Sequence, residues 1–144
     1  MNITFYADPY LHDWKNESGE KIGIISYKSL FLANEIEVNE KLNSQLRKCG
    51  LSPKTFFIST LKDHIIQKKL IDIFKKEDIK LIITTTSFSS SQIKNNELIE
   101  NSTNIFTSLK IPILQLLSSN RSRKKWLNSS IGMNSSDLLM QIII

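Results

Sequence analysis

The sequence predicts an α/β protein, built as an open parallel sheet of about four strands with helices on both faces. Three observations predict this. Short apolar runs alternate with helical periodicities in the order strand, helix, strand, helix, strand, helix, strand. The strand run Lys80–Thr85 has an unbroken apolar centre, Leu81–Ile83, as in strands covered on both faces. Stop and start residues (Gly50, Pro53 and Asp63) fall between the periodic segments.

Residues 1–19 form a lead-in or linker with two aromatics at Phe5 and Tyr6, then Asp8-Pro9, Trp14 and Gly19. The α/β segment covers residues 20–144. Its first strand is Lys21–Ser26, a short apolar run. A long helix follows in "LFLANEIEVNEKLNSQLRKCG", with Val38, Leu42, Leu46 and Cys49 on one face of the 3.6-residue period. Glu35, Glu37 and Glu40 lie in its first half and Arg47 and Lys48 in its last turn, an order that suits the helix dipole. Gly50 ends the helix and Pro53 blocks its continuation.

The second strand is Lys54–Ser59. The second helix carries Ile66, Leu70, Ile73 and Phe74 on one side, with Asp63 where an N-cap belongs. Lys80–Thr85 is the third strand. Residues 86–101 are serine-rich and lack periodicity, and a short helix is expected around Ser102–Leu109. Ile111–Leu117 is the fourth strand, with Pro112 tolerated near its start. A short helical piece around Arg123–Trp126, a turn at Gly132 and a last helix capped by Ser135 or Ser136 follow. The flavodoxin-like order 2-1-3-4 is the expected arrangement of the four strands.

In such a sheet, ligands bind beyond the carboxyl ends of the strands. Those ends are hydroxyl-rich here and carry few charges. Neither Gly-x-Gly-x-x-Gly nor Gly-x-x-x-x-Gly-Lys-Ser/Thr occurs, so no nucleotide phosphate cradle is expected in this segment. No Gly-x-Ser-x-Gly turn is present for a serine nucleophile. A phosphoacceptor receiver would need acidic residues after the first and third strands, where Ser26 and Thr84 stand. His12 lies in the lead-in and His64 opens a helix, so no metal ligands are expected.

Net charge is +5, with the basic residues spread along the chain rather than gathered in one block. The one dense basic cluster, "NRSRKKW" at Asn120–Trp126, reads as a solvated helix face with Trp126 turned into the core. No second aromatic interleaves with it to stack bases, so no nucleic-acid partner is expected. The single cysteine, Cys49, reads as a small core residue near a helix end. No signal peptide is visible and no apolar run reaches the ~20 residues of a membrane span, so a cytoplasmic setting is expected.

Three motifs stand in a familiar order: "SLFLAN" after the first strand, "FFISTLKD" at the second, and "IPILQLLSSNRSRKKWLNSSIGMNSSDLLMQIII". Together they resemble the large subunit of cobaltochelatase, related to the porphyrin-binding large subunit of magnesium chelatase. Pro112, Gln115, Ser118, Ser119, Trp126, Ser129, Gly132, Met133 and Asp137 match the family pattern. The Pro-Glu-x-Asp-Gly motif that continues it does not occur, so Ile142–Ile144 reads as the beginning of an interior passage of a longer chain. "TTTSFS" resembles the cobalt branch; the magnesium branch commonly has a glycine where Ser87 stands.

The resemblance implies a fragment of an enzyme that inserts cobalt into a tetrapyrrole in cobalamin biosynthesis. It also implies ATP hydrolysis on partner AAA+ subunits and catalytic residues outside this segment, so the piece is expected to be inactive alone. Two alternatives stay open: a non-catalytic α/β binding or regulatory module, and the magnesium branch. The strand-end residues Ser29, Ser59, Lys62, Asp63, Ser87, Ser89, Gln115 and Ser118 are the candidates for lining a substrate cleft. For the same residues a helix cap at Asp63, a backbone pairing at Gln115 and turns at the serines are equally open.

Overall fold

The structure is a computed structural model that describes residues 7–86, 93–94, 97–98, 107–116 and 122–130. Its elements, in chain order, are β1 Tyr10–His12, β2 Lys21–Tyr27, α1 Lys28–Leu32, α2 Glu37–Lys48 and β3 Ser52–Ile58. Then come α3 His64–Glu77, β4 Leu81–Thr84, β5 Ile93–Lys94, β6 Glu97–Leu98, β7 Ile113–Gln115 and α4 Arg123–Leu127. The main sheet runs β1-β3-β2-β4-β7, and β5 and β6 form a separate antiparallel pair.

The four expected strands are β2, β3, β4 and β7, and they lie in the expected order, all parallel. The fifth strand is an addition to that expectation. Tyr10–His12, inside the lead-in, pairs antiparallel with β3 and makes the sheet mixed. Three residues are too few for a period-2 pattern to stand out. β3 also begins earlier than the run Lys54–Ser59 suggests, and Pro53 lies within it. The Ser52 amide donates to Glu20 on the β2 side, so the ring nitrogen of Pro53 faces the other way. There β1, which pairs only with Thr55–Phe57, has not yet begun, and no ladder hydrogen bond is lost.

Helices cover both faces. On one, Ile66, Leu70 and Phe74 of α3 pack with Ile25, Phe56, Ile58, Ile79 and Ile82. Gly23 belongs to this face: a Cβ there would stand 3.2 Å from Ile79 Cγ2 and 3.4 Å from Phe74 Cε1, so the absent side chain lets α3 settle close to β2. The Asp63 carboxylate accepts from the Ile65 amide at 2.8 Å and caps α3 as the sequence indicates. On the other face, Leu42 and Leu46 of α2 pack on Ile22, Ile24 and Ile83.

The helix expected from Leu30 to Gly50 is two. Asn34 takes a left-handed conformation (φ 59°) and separates α1 from α2. The buried face of α2 is also turned from the expected one. Asn39 and Asn43 are buried, while Val38 is 52% exposed and Cys49 is exposed. The reason lies beneath the helix, where the sheet presents the hydroxyls of Ser26 and Thr55, which apolar side chains would leave unpaired. Similarly, Trp126 in α4 is 48% exposed and is not a core residue.

The segment Asp13–Glu17 crosses the open edge of β3 and is pinned from two sides. Trp14 Nε1 donates to the Thr55 carbonyl at 3.3 Å, and Lys54 Nζ donates to the Lys15 carbonyl. Arg47 of α2 bonds Glu17 at 2.6 Å and Asp13 at 3.2 Å. Lys54 is buried in β3, and burial holds its ammonium below the usual lysine range; the Glu17 carboxylate works in the opposite direction. Between that lowered value and the ordinary lysine value of ~10.4, the unfolded chain binds more protons than the folded one, so stability rises with pH. The stability difference between wild type and Lys54→Met should therefore shift in favour of wild type across this alkaline window. Urea titrations at stepped pH check it, and a difference that stays flat or moves the other way would contradict the burial argument.

Candidate functional site

The carboxyl ends of β2, β3, β4 and β7 line one edge of the sheet, and a network of neutral polar groups occupies its centre. Ser26, the penultimate residue of β2, is buried, and its hydroxyl accepts from Asn39 Nδ2 at 2.6 Å. It also meets the hydroxyl of Thr85. Thr85 Oγ1 donates to the Ile25 carbonyl at 3.2 Å. A hydroxyl has one proton, so the direction of the chain is set: Asn39 donates to Ser26, Ser26 to Thr85, and Thr85 to the backbone of β2. Just beyond, the hydroxyls of Thr84 and Thr86 pair at 2.7 Å, and both residues are buried. Gln115 Nε2 reaches from the end of β7 to the Thr86 carbonyl at 3.3 Å and ties the two strand ends together.

A second group forms at the end of β3. The Asp8 carboxylate accepts from the backbone amide of Ser59 at 3.3 Å and from its hydroxyl. Lys28 Nζ donates to the Ala7 carbonyl at 2.9 Å and Lys69 Nζ to that of Asp8 at 3.2 Å, so residues 7 and 8 are strapped across this corner. The peptide Asp8–Pro9 is cis. Tyr10, His12, Phe31 and Phe57 cluster in tilted and edge-on contacts, with Tyr10 and Phe31 4.7 Å apart and His12 and Phe57 5.7 Å apart.

The proposed cleft residues are distributed as follows. Ser59, Lys62 and Asp63 share the loop after β3, where Asp63 is engaged as a cap and Lys62 is exposed. Ser29 is exposed in the first turn of α1, where its carbonyl accepts from the Ala33 amide at 2.9 Å. Gln115 joins the central network. Ser87, Ser89 and Ser118 lie outside the described residues. The candidate list omits six contributors: Ser26, Thr84 and Thr85, which stand at the strand ends, and Asn39, Thr86 and Asp8. Asn39 falls off the apolar stripe of its helix, Thr86 opens a stretch without periodicity, and Asp8 lies in the lead-in. The pair Asn39 and Asn43, four residues apart beside Leu42 and Leu46, is the available signal for the first.

The central network contains amides and hydroxyls that do not ionise near neutral pH, so it orients and does not transfer protons. Among the described residues, no group of three or more His, Cys, Asp or Glu is placed to hold a metal ion, and no helix is long and apolar enough to cross a membrane. Two open depressions lie instead at the amino ends of the strands. One, of about 460 Å³, is lined by Gly19, Lys21, Gly50, Glu77 and Lys80 among others. The other, of about 400 Å³, lies between the end of α3 and Leu109–Pro112. In the first, Lys21 pairs with Glu77 at 2.8 Å, and the ammonium holds that carboxyl below the usual range.

The described residues thus form a mostly parallel open sheet with helices on both faces and a neutral, donor-rich carboxyl edge, without an acid–base centre in the central network. Comparison with known proteins specifies the family. The CobN/Magnesium Chelatase family profile matches residues 2–144, and the chain belongs to this family. It is 27% identical over 123 residues to the aerobic cobaltochelatase subunit CobN of a Sinorhizobium species, covering 85% of this chain and 9% of that protein. It is 23% identical over 142 residues to the Pseudomonas aeruginosa subunit of the same name, covering 96% of this chain and 11% of the other. An uncharacterized protein of Methanocaldococcus jannaschii is 29% identical over 126 residues, covering 83% of this chain and 10% of that protein. The catalytic subunit of cobaltochelatase from Mycobacterium tuberculosis has the same fold, with a TM-score of 0.68 at 19% identity, over 88% of this chain and 11% of that one. The chain thus spans about a tenth of the length of the relatives it matches.

Proposed function

We propose that this chain is a scaffold segment of the large subunit of an ATP-dependent chelatase that inserts cobalt into a tetrapyrrole in cobalamin biosynthesis, in the cytoplasm. The observation that carries this is the family match across residues 2–144, joined to relatives described as cobaltochelatase subunits. Metal insertion requires groups that take up pyrrole protons and ligands that hand over the metal. The hydroxyl and amide network fits neither task. It suits the holding of polar substituents at the rim of a macrocycle, with Gln115 and Ser59 exposed there and the exposed Lys62 in the same loop as Ser59. The chemistry then falls to other parts of the large subunit, and ATP hydrolysis to AAA+ partner subunits.

Absorbance spectroscopy tests this. The large subunit that contains these residues, supplied with its ATPase partners, ATP, cobalt and a metal-free corrinoid, should convert the spectrum to that of the metallated ring. The 144-residue chain alone should give no conversion and weak or no binding of the corrinoid. Conversion by the isolated chain would overturn the scaffold assignment. Failure of the complete system with cobalt, together with success with magnesium and a porphyrin, would move the protein to the other branch of the family.

A further inference from the structure

Resting on the large-subunit reading above, we propose that the outer edge of β7, which no described residue covers, receives a further parallel strand, supplied by the part of the large-subunit polypeptide that this 144-residue chain does not contain. The sheet order β3-β2-β4-β7 fills the first four positions of the 2-1-3-4-5 arrangement, and the fifth position falls on the outer side of β7. The backbone is set for it. The Pro112 carbonyl accepts from Ile82 at 3.0 Å and the Leu116 amide donates to Thr84 at 2.8 Å, so the even-numbered peptide groups face β4. The N–H and C=O of Ile113 and Gln115 therefore face outward, and they have no partner among the described residues.

The side chains agree. Exposed sheet edges are normally protected by charge, by proline or by a bulge. Residues 113–116 carry none of these, and Ile113, Leu114 and Leu116 are 36%, 55% and 36% exposed. A monomer surface of this kind is a site to be covered. The length of the edge identifies the occupant. Four outward backbone groups at a net ~1 kcal/mol each fall short of the cost of docking a freely diffusing partner. The same strand carried on the remainder of the subunit binds at a high effective concentration. The relatives supply such a remainder, since this chain spans only 9–11% of their length.

Amide hydrogen exchange decides the matter. In the complete large subunit, the Ile113 and Gln115 amides should exchange ~100-fold or more slowly than in the 144-residue chain, while the Leu114 amide, turned to β4, is protected in both. Ile113→Pro removes one outward donor and leaves the β4 ladder intact. In the complete subunit it should raise exchange at Gln115 at least ~10-fold, and in the 144-residue chain it should leave the melting temperature unchanged. Equal exchange of the wild-type amides in the two polypeptides would overturn the proposal, and that comparison stands even if the proline variant fails to fold. Concentration-dependent dimerisation of the 144-residue chain, lost in Ile113→Pro, would also overturn it and assign the edge to a second copy.

Discussion

Phe56→Ala is expected to destabilise the domain by about 3–5 kcal/mol, the range for deleting a fully buried aromatic side chain. Phe56 has no exposed surface and sits at the middle of β3 on the α3 face. Its ring meets Phe74 edge-on at 5.0 Å and 85° and Trp14 edge-on at 5.2 Å and 81°. Deleting it removes the apolar burial and both edge-to-face contacts, and it leaves a cavity between a strand and a helix that are each anchored elsewhere. The hydrogen bond from Trp14 to Thr55 loses its packing support as well. Urea unfolding measures the loss. A value below about 1 kcal/mol would mean that α3 and the Trp14 strap close over the gap, against the close packing of this face.

The second expected result concerns the buried amide–hydroxyl pair under α2. Asn43 donates to Thr55 Oγ1 at 3.0 Å, and Thr55 donates back to Asn43 Oδ1 at 3.3 Å, with both side chains buried. Asn43→Leu strands the Thr55 hydroxyl and Thr55→Val strands the Asn43 amide. Each single change should cost about 1–3 kcal/mol, the cost of a buried polar group without a partner. The double variant should cost clearly less than the sum, because no unpaired group remains. The coupling should reach about 1 kcal/mol in a double-mutant cycle. Additive losses would show that the two side chains do not depend on each other, and a helix that buries its asparagines would then lack a physical reason in the hydroxyls beneath it.

That helix shows how far local pattern carries. The apolar periodicity Val38, Leu42, Leu46 and Cys49 locates α2 correctly but sets its face one position off, because periodicity counts apolar residues and cannot see what the sheet offers opposite them. Half of that stripe, Leu42 and Leu46, does pack on the core. The rest yields to Asn39 and Asn43, which answer hydroxyls arriving from β2 and β3. α3 has no such conflict. Its partners are apolar, and Ile66, Leu70, Phe74 and the Asp63 cap all stand where the sequence places them.

The candidate site divides in the same way. Gln115 is legible as a polar residue at a strand end. Its bond to the Thr86 carbonyl is not, because it joins positions 29 residues apart. The Asp8–Ser59 contact spans 51 residues and brings a segment of linker-like sequence onto the carboxyl edge.

By itself the amino-acid sequence determined the four strands and the helices between them, through local runs and caps, and the family, through ordered motifs; the strand order was an expectation taken from the flavodoxin-like arrangement, and the sheet has it. The tertiary structure alone decided the antiparallel strand Tyr10–His12, the polar underside of α2, the directed chain from Asn39 through Ser26 to Thr85, and the place of β7 at the end of the sheet order. Each of these depends on which groups from distant positions meet in space, and a buried donor or acceptor takes its role from the partner it meets rather than from its neighbours in the chain.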